Sequence, residues 1–248
     1  KLIDEGCTIP FIARYRKEAT GSLNDEQLRT LDERLTYLRG LEDRKEKVIA
    51  SIEEQGMLTD ELKKSILAAE TLVAVEDLYR PYKPKRKTRA TIAQSKGLTG
   101  LANIISLQMT NKPISEEALA YVSEEKEVHS AEEAIAGAMD IIAESISDNA
   151  EYRTEIRNLT MDKGILMTAA KDPEAESVYE MYYDFSTPVR KMTRYRTLAI
   201  NRGEKEKILT VKLEAPEEEI IRYLEKKTIR RENPYTTPYL KEAVADSY

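Results

Sequence analysis

The strongest structural signal in the sequence is a long helix that begins at Asn24. Asn24 and Gln27 have the spacing of a capping box, in which each side chain bonds the backbone N–H of the other residue at a helix N-terminus. Apolar residues then recur at helical spacing to about Gln55. Such a helix is roughly 48 Å long, so we expect it to bridge two packed regions. The alternative is a sustained coiled coil, whose heptad pattern is interrupted by the charged run at residues 42–47.

Cap and stop signals predict further helices along most of the chain. They lie at about 60–70, 72–80, 89–96, 99–109, 115–123, 131–147, 150–162 and 217–229. Leu209, Val211 and Leu213 alternate with polar residues instead, which favours a short strand with residues 165–169 as its candidate partner. The sequence therefore predicts an all-α, multihelical fold with two packed helical subregions bridged by the long helix, and at most one small β element near 165–214.

Charge is distributed unevenly along the chain. The formal net charge is −6, and residues 101–180 contain six basic against 17 acidic residues. We therefore predict a helical subregion over 1–90 that contains the long helix and a basic loop, an acidic helical subregion over 91–185, and a C-terminal helical segment over 186–248 that leads toward a downstream domain. Because the chain is acidic overall, any contact with nucleic acid must be local.

Residues 79–89, here called the basic loop, are the candidate for that contact. Six of the ten residues from 80 to 89 are cationic, and Pro81 and Pro84 exclude an ordinary helix interior. Tyrosines interleave with the cations, a combination used on single-stranded nucleic acid. The simpler alternative is a solvated connector between helices. The predicted nucleic-acid-binding residues are Tyr79, Arg80, Tyr82, Lys83, Lys85, Arg86, Lys87 and Arg89.

A second basic patch surrounds Tyr195 and consists of Arg190, Lys191, Arg194 and Arg196. A third cationic group, at residues 226–231, has a simpler explanation, because cations at a helix C-terminus offset the helix dipole. Residues 91–99 resemble a helix-turn-helix element. We interpret this element as a structural turn rather than a DNA reader, because residues 97–111 contain no cation to meet the phosphate backbone.

The sequence contains few residues suited to catalysis. His129 is the only histidine and Cys7 the only cysteine, and no glycine-rich phosphate loop is present. We therefore predict no catalytic residues, no metal site, no cofactor and no enzymatic activity. A lone cysteine forms no disulfide within the chain and fits a reducing cytoplasm, and no apolar run approaches the ~20 residues of a membrane span. The predicted location is cytoplasmic, without a membrane partner.

Four segments, in order, resemble the Tex family of bacterial transcription accessory proteins. They are residues 9–18 (IPFIARYRKE), 77–93 (DLYRPYKPKRKTRATIA), 182–188 (YYDFSTP) and 198–204 (LAINRGE). The resemblance implies a multihelical N-terminal region that, in the full-length family, precedes an RNase-H-like domain, helix-hairpin-helix elements and an OB-type RNA-binding domain. We expect this chain, which opens at Lys1, to be a fragment without those domains.

Together, the residues and the resemblance indicate a non-catalytic helical scaffold of a transcription accessory protein that contributes weak, electrostatic binding of RNA or single-stranded DNA. The alternative is a protein–protein interaction module that docks the transcription machinery, with nucleic-acid binding confined to the absent domains. Both functions depend on charge, so salt dependence does not separate them. Competition by short single strands for the basic loop does.

Overall fold

The computed structural model of the protein describes residues 1–84 and 87–248, so Lys85 and Arg86 lie outside the described residues. The chain divides into two compact units, Lys1–Tyr82 and Lys83–Tyr248. Both units are mainly helical, and one small sheet lies in the second unit. This composition confirms the multihelical fold with a small β element. The division at about residues 90 and 185 stays a prediction.

The first unit consists of five helices and a short 3₁₀ turn at Arg80–Tyr82. The helices are α1 (Ile9–Tyr15), α2 (Lys17–Thr20), α3 (Asp25–Glu54), α4 (Asp60–Ala68) and α5 (Leu72–Tyr79). The capping box of α3 is present as predicted: the Gln27 N–H donates to Asn24 Oδ1 at 2.8 Å, and the Asn24 N–H donates to Gln27 Oε1 at 3.0 Å. Helix α1 was not predicted.

The long helix α3 lies within the first unit, where it contacts α1, α4 and α5. Its buried residues Leu41, Val48 and Ile52 pack against Ile66 of α4 and against Val75 and Tyr79 of α5. These contacts bring the end of α5, and with it the start of the basic loop, onto the second half of the long helix.

The second unit contains eight helices among the described residues. They are α6 (Arg89–Ser95), α7 (Thr99–Leu107), α8 (Ile114–Leu119), α9 (Ala131–Ser147), α10 (Ala150–Lys163), α11 (Arg194–Lys205), α12 (Glu217–Thr228) and α13 (Thr237–Ser247). Helix α9 is central and contacts α6, α7, α8 and α13. Helices α6 and α7 are joined by a turn in which Gly97 has a φ of +82°. The sequence predicted a helical segment over 186–248 without the bounds of α11 and α13.

The N-terminus of α9 differs in one detail from the capping box that the sequence indicates. The Ser130 hydroxyl accepts a hydrogen bond from the Glu133 N–H at 3.2 Å, as expected. The Glu133 carboxylate, however, accepts from the N–H of His129 at 2.9 Å, one residue before the cap. The helix therefore begins where predicted, but the second hydrogen bond of the capping box comes from His129 rather than from Ser130.

The sheet has three antiparallel strands in the order β2-β1-β3: β1 (Ile165–Ala170), β2 (Asp184–Pro188) and β3 (Leu209–Glu214). The predicted pairing of β1 with β3 is present, and β2 is an addition on the other edge. On the central strand, Met167 lies opposite Ser186 and Lys212. The sheet and α11 share a small core that includes Ile200 and Leu209. This packing places the start of α11 beside the sheet.

Candidate nucleic-acid interface

The first tyrosine of the basic loop belongs to the core of the first unit. Tyr79 is only 7% exposed, and its hydroxyl shares a 2.9 Å hydrogen bond with Ser51 Oγ on α3. The guanidinium of Arg44 lies 5.4 Å from the centroid of the Tyr79 ring. Because the ring is enclosed by the protein, Tyr79 fixes the start of the loop and offers no free face on which a base could stack.

The second tyrosine, Tyr82, is half-buried and packs against the same core. Its backbone carbonyl accepts a 3.0 Å hydrogen bond from the side-chain amide of Gln55 near the end of α3. Arg80, between the two tyrosines, is exposed. The part of the loop that belongs to the first unit is thus anchored on α3.

The remaining described cations of the loop belong to the second unit and differ in their surroundings. Lys83 and Lys87 are exposed. Arg89 is exposed over 73% of its side chain, yet its guanidinium lies 2.9 Å from Asp246 and 3.3 Å from Asp140. Two carboxylates of the same unit therefore already balance the charge of Arg89. Lys85 and Arg86 lie outside the described residues.

The pKa of Asp140, one of the two carboxylates near Arg89, departs from its ordinary value. Partial burial raises the pKa of the Asp140 carboxyl above its ordinary value. The guanidinium of Arg89 acts in the opposite direction, and Asp246 adds to the increase in pKa. Burial of the carboxyl therefore sets the direction of the shift, and Arg89 offsets part of it.

The second basic patch lies where the sheet meets α11. Arg190 sits in a 3₁₀ turn, Val189–Lys191, that directly follows β2, and it pairs with Asp162 of α10 at 3.2 Å. Lys191 and Arg194 are exposed. The guanidinium of Arg196 lies 5.5 Å from the centroid of the Phe185 ring and 5.8 Å from that of the Tyr195 ring. The structure therefore places one cation of this patch, Arg196, beside two aromatic rings.

Tyr195 and Phe185 were not among the predicted site residues. The Tyr195 side chain is 64% exposed, so it presents an accessible ring beside the guanidinium of Arg196. The sequence agrees with this placement in one respect: Tyr195 lies five residues from Ile200, the large buried residue of α11, which is about 140° around the helix. Between the two candidate patches, the second provides the accessible aromatic surface.

His129 is exposed, and Cys7 is half-buried. Within residues 1–84 and 87–248, no group of three or more histidine, cysteine, aspartate or glutamate side chains has the arrangement of a metal site. No helix in these same ranges combines the length and apolar character that crossing a bilayer requires.

Comparison with known proteins identifies the class of this multihelical chain. Residues 1–53 match the Tex-like protein N-terminal domain, and residues 109–246 match the Tex central region-like family. The chain therefore belongs to the Tex family, as the sequence motifs indicated.

Three relatives illustrate the extent of the similarity. The chain is 48% identical to the uncharacterized protein YdcI of Bacillus subtilis over its whole length. It is 44% identical to the transcriptional accessory protein Tex of Neisseria gonorrhoeae over 86% of its length. It is 30% identical to the human S1 RNA-binding domain-containing protein 1, also over 86%. The chain spans 35%, 28% and 22% of these proteins, respectively.

Proposed function

We propose that this region is a non-catalytic scaffold within a transcription accessory protein, and that it contributes weak, salt-dependent contacts to RNA or single-stranded DNA. Support comes from the family and from the names of two relatives, one a transcriptional accessory protein and the other carrying an S1 RNA-binding domain. We further propose that it works in the cytoplasm, which the lone Cys7 fits.

The observation that carries the proposal is the arrangement around Tyr195. Its exposed ring lies beside the guanidinium of Arg196, with Lys191 and Arg194 also exposed in the patch. Proteins that bind single strands combine aromatic platforms for the bases with cations that neutralise the backbone, and arginine adds cation–π attraction. We therefore assign base stacking to Tyr195 rather than to the buried Tyr79.

The pairing of cations within the protein sets the expected strength of binding. Arg89 and Arg190 are engaged by carboxylates, whereas Lys83, Lys87, Lys191 and Arg194 are exposed in the two patches. If four cations neutralise phosphates of a single strand, the slope of log K against log salt is about −3. The net charge of −6 opposes the approach of a polyanion, so we expect weak binding.

The contribution of the basic loop can be measured with a short fluorescein-labelled oligouridylate and fluorescence anisotropy over a range of salt. Lys83→Ala with Lys87→Ala should weaken binding and flatten the slope by about 1.4, because two phosphate contacts are lost. Lys63→Ala with Lys64→Ala is the matched control, since both lysines are exposed on α4 in the first unit. Equal effects of the two double variants would mean that only overall charge matters.

The contribution of Tyr195 is tested in the same assay. Tyr195→Ala should cost about 1–3 kcal/mol of binding free energy with little change in salt slope, and Tyr195→Phe should retain most of the affinity because it keeps the ring. Tyr15→Ala is the control, because Tyr15 is equally exposed, at 66%, in the first unit.

The rival function is a protein-interaction module in which the same patches dock an acidic partner. If the chain fails to bind single strands at low salt, or if the variants of both patches bind as the unmodified chain does, the nucleic-acid proposal is wrong. Loss of binding to a protein of the transcription machinery in those variants would then favour the module.

A further inference from the structure

Helices α9 and α13, together with the start of α6, enclose an open groove of about 640 Å³ in the second unit. Its floor is apolar and consists of Ile135 and Met139 from α9 and of Tyr239 and Ala243 from α13. On each helix these residues are four apart, so one face of each helix lines the groove. The floor side chains are buried or half-buried.

The rim of the groove is acidic. Glu132 and Asp140 line it from α9, and Glu242 and Asp246 line it from α13. Among the described residues that line the groove, Arg89 is the one cation, and it contacts both Asp140 and Asp246. Four carboxylates and a single guanidinium thus line the groove.

We propose that this groove docks an amphipathic, basic helix of a partner protein. The apolar floor fits aliphatic side chains spaced one turn apart, and the acidic rim fits lysine or arginine side chains on either side of them. From Glu132 to Asp140 the groove follows α9 for about 12 Å, which is a little more than two helical turns. The excess of carboxylates repels nucleic acid, so this surface is distinct in chemistry from the two basic patches and does not depend on their function.

A synthetic peptide of leucine and lysine, about four turns long and with its leucines on one helical face, is the appropriate probe. We expect it to bind the 248-residue chain with micromolar affinity in fluorescence anisotropy. An isomeric peptide of the same composition, with its leucines spread around the helix, should bind at least about tenfold more weakly because it cannot place them on the floor. Equal binding of the two peptides overturns the proposal, as does the absence of binding.

Charge reversal then locates the site. Glu132→Lys with Glu242→Lys should weaken binding of the probe by about tenfold or more, because the rim then repels it. Glu124→Lys with Glu125→Lys makes the same change in net charge at exposed positions outside the groove lining, and should have less than about a twofold effect. Similar losses in both variants would show that the peptide responds only to overall charge, which overturns the proposal.

Glu132→Lys places a cation in the first turn of α9, where the helix dipole disfavours it. A second variant therefore tests the groove without that change. Ala136 is exposed in the groove, and Ala136→Arg adds bulk and positive charge there without removing an existing side-chain bond. With the fold verified by circular dichroism, this variant should also lose at least about fivefold in affinity. Unchanged affinity in a folded Ala136→Arg protein overturns the groove as the docking site.

Discussion

Gly40 and Gly137 both lie inside helices, but the structure predicts opposite results when each is replaced by alanine. At Gly40, in α3, an added Cβ meets no atom within 4 Å. Alanine is favoured over glycine in a helix interior by about 0.8–1 kcal/mol. Gly40→Ala should therefore raise the free energy of unfolding of the first unit by about 1 kcal/mol.

At Gly137, in α9, the same change creates a collision. The added Cβ would overlap Leu98 Cδ1 and lie 3.1 Å from the Cβ of Ala93. Leu98 is fully buried, so its side chain has little room to move away. Overpacking of a core costs about 1–3 kcal/mol. After the gain of about 1 kcal/mol in helix propensity, Gly137→Ala should be neutral or destabilising by up to about 2 kcal/mol.

Urea denaturation followed by circular dichroism, with hydrogen exchange to assign each transition to its unit, measures both effects. We expect the two variants to differ by about 1–3 kcal/mol, with Gly40→Ala the more stable. If Gly137→Ala stabilises its unit as much as Gly40→Ala does, then α6 and the following turn do not approach α9 as closely as the structure shows. The same approach holds Arg89 near Asp140, so the result also bears on the groove.

Two further predictions concern local electrostatics and capping. Asn24→Ala should lower the free energy of unfolding by about 1 kcal/mol, because the Gln27 N–H loses its acceptor. Asn24→Asp keeps a side-chain acceptor at this position and should retain the stability of the unmodified chain. An unchanged urea midpoint and slope for the alanine variant would contradict the cap. Arg89→Ala should raise the pKa of Asp140 further, as measured by carboxyl NMR titration, and a lower or unchanged value would contradict the pairing. A raised carboxyl pKa means tighter proton binding in the folded state, so the contribution of Asp140 to stability falls as pH rises through its pKa, and Arg89→Ala should extend this loss to higher pH.

The parts of the fold that the sequence predicted correctly depend on local chemistry. A cap such as Asn24 or Ser130 acts within one helical turn, so its side-chain acceptor can be recognised without knowledge of the tertiary structure. The alternation of Leu209, Val211 and Leu213 likewise identified β3, in which Leu209 is buried, Val211 is half-buried and Leu213 is exposed. Helix α9 was predicted with both its ends at the observed residues.

The elements whose bounds the sequence did not predict depend on distant contacts. Helix α11 buries only Ile200 and Gly203, which is too few residues for an apolar stripe to stand out. Strand β2 has five residues and is ordered by pairing with β1, so its register is set by a segment some 20 residues away in the chain. Short elements of this kind gain most of their stability from tertiary packing rather than from their own pattern.

The candidate site likewise combines features that could be predicted from the sequence with features that could not. Tyr79 follows Val75 by one helical turn, so the buried stripe of α5 contained a signal that its ring faces the core. The alternation of tyrosines with cations in the sequence does not show whether a tyrosine ring is buried or exposed. The exposed aromatic beside cations is Tyr195, where the position of the ring depends on how α11 packs against the sheet.

Arg89 shows why a count of cations in a sequence overstates the charge available to a ligand. It is the last residue of the basic loop, yet its guanidinium bonds Asp246, which lies 157 positions further along the chain. A contact between residues so far apart leaves no trace in local composition. Once formed, it removes one cation from those that a phosphate can use and places that cation on the rim of an acidic groove, where the carboxylates still outnumber it. The loop therefore offers less positive charge to a ligand than the sequence alone implies, and Arg89 offsets part of the negative charge of the groove. The difference in sign between the two surfaces nevertheless persists, so the two proposed ligands, nucleic acid and a basic helix, would meet surfaces of opposite charge within one unit.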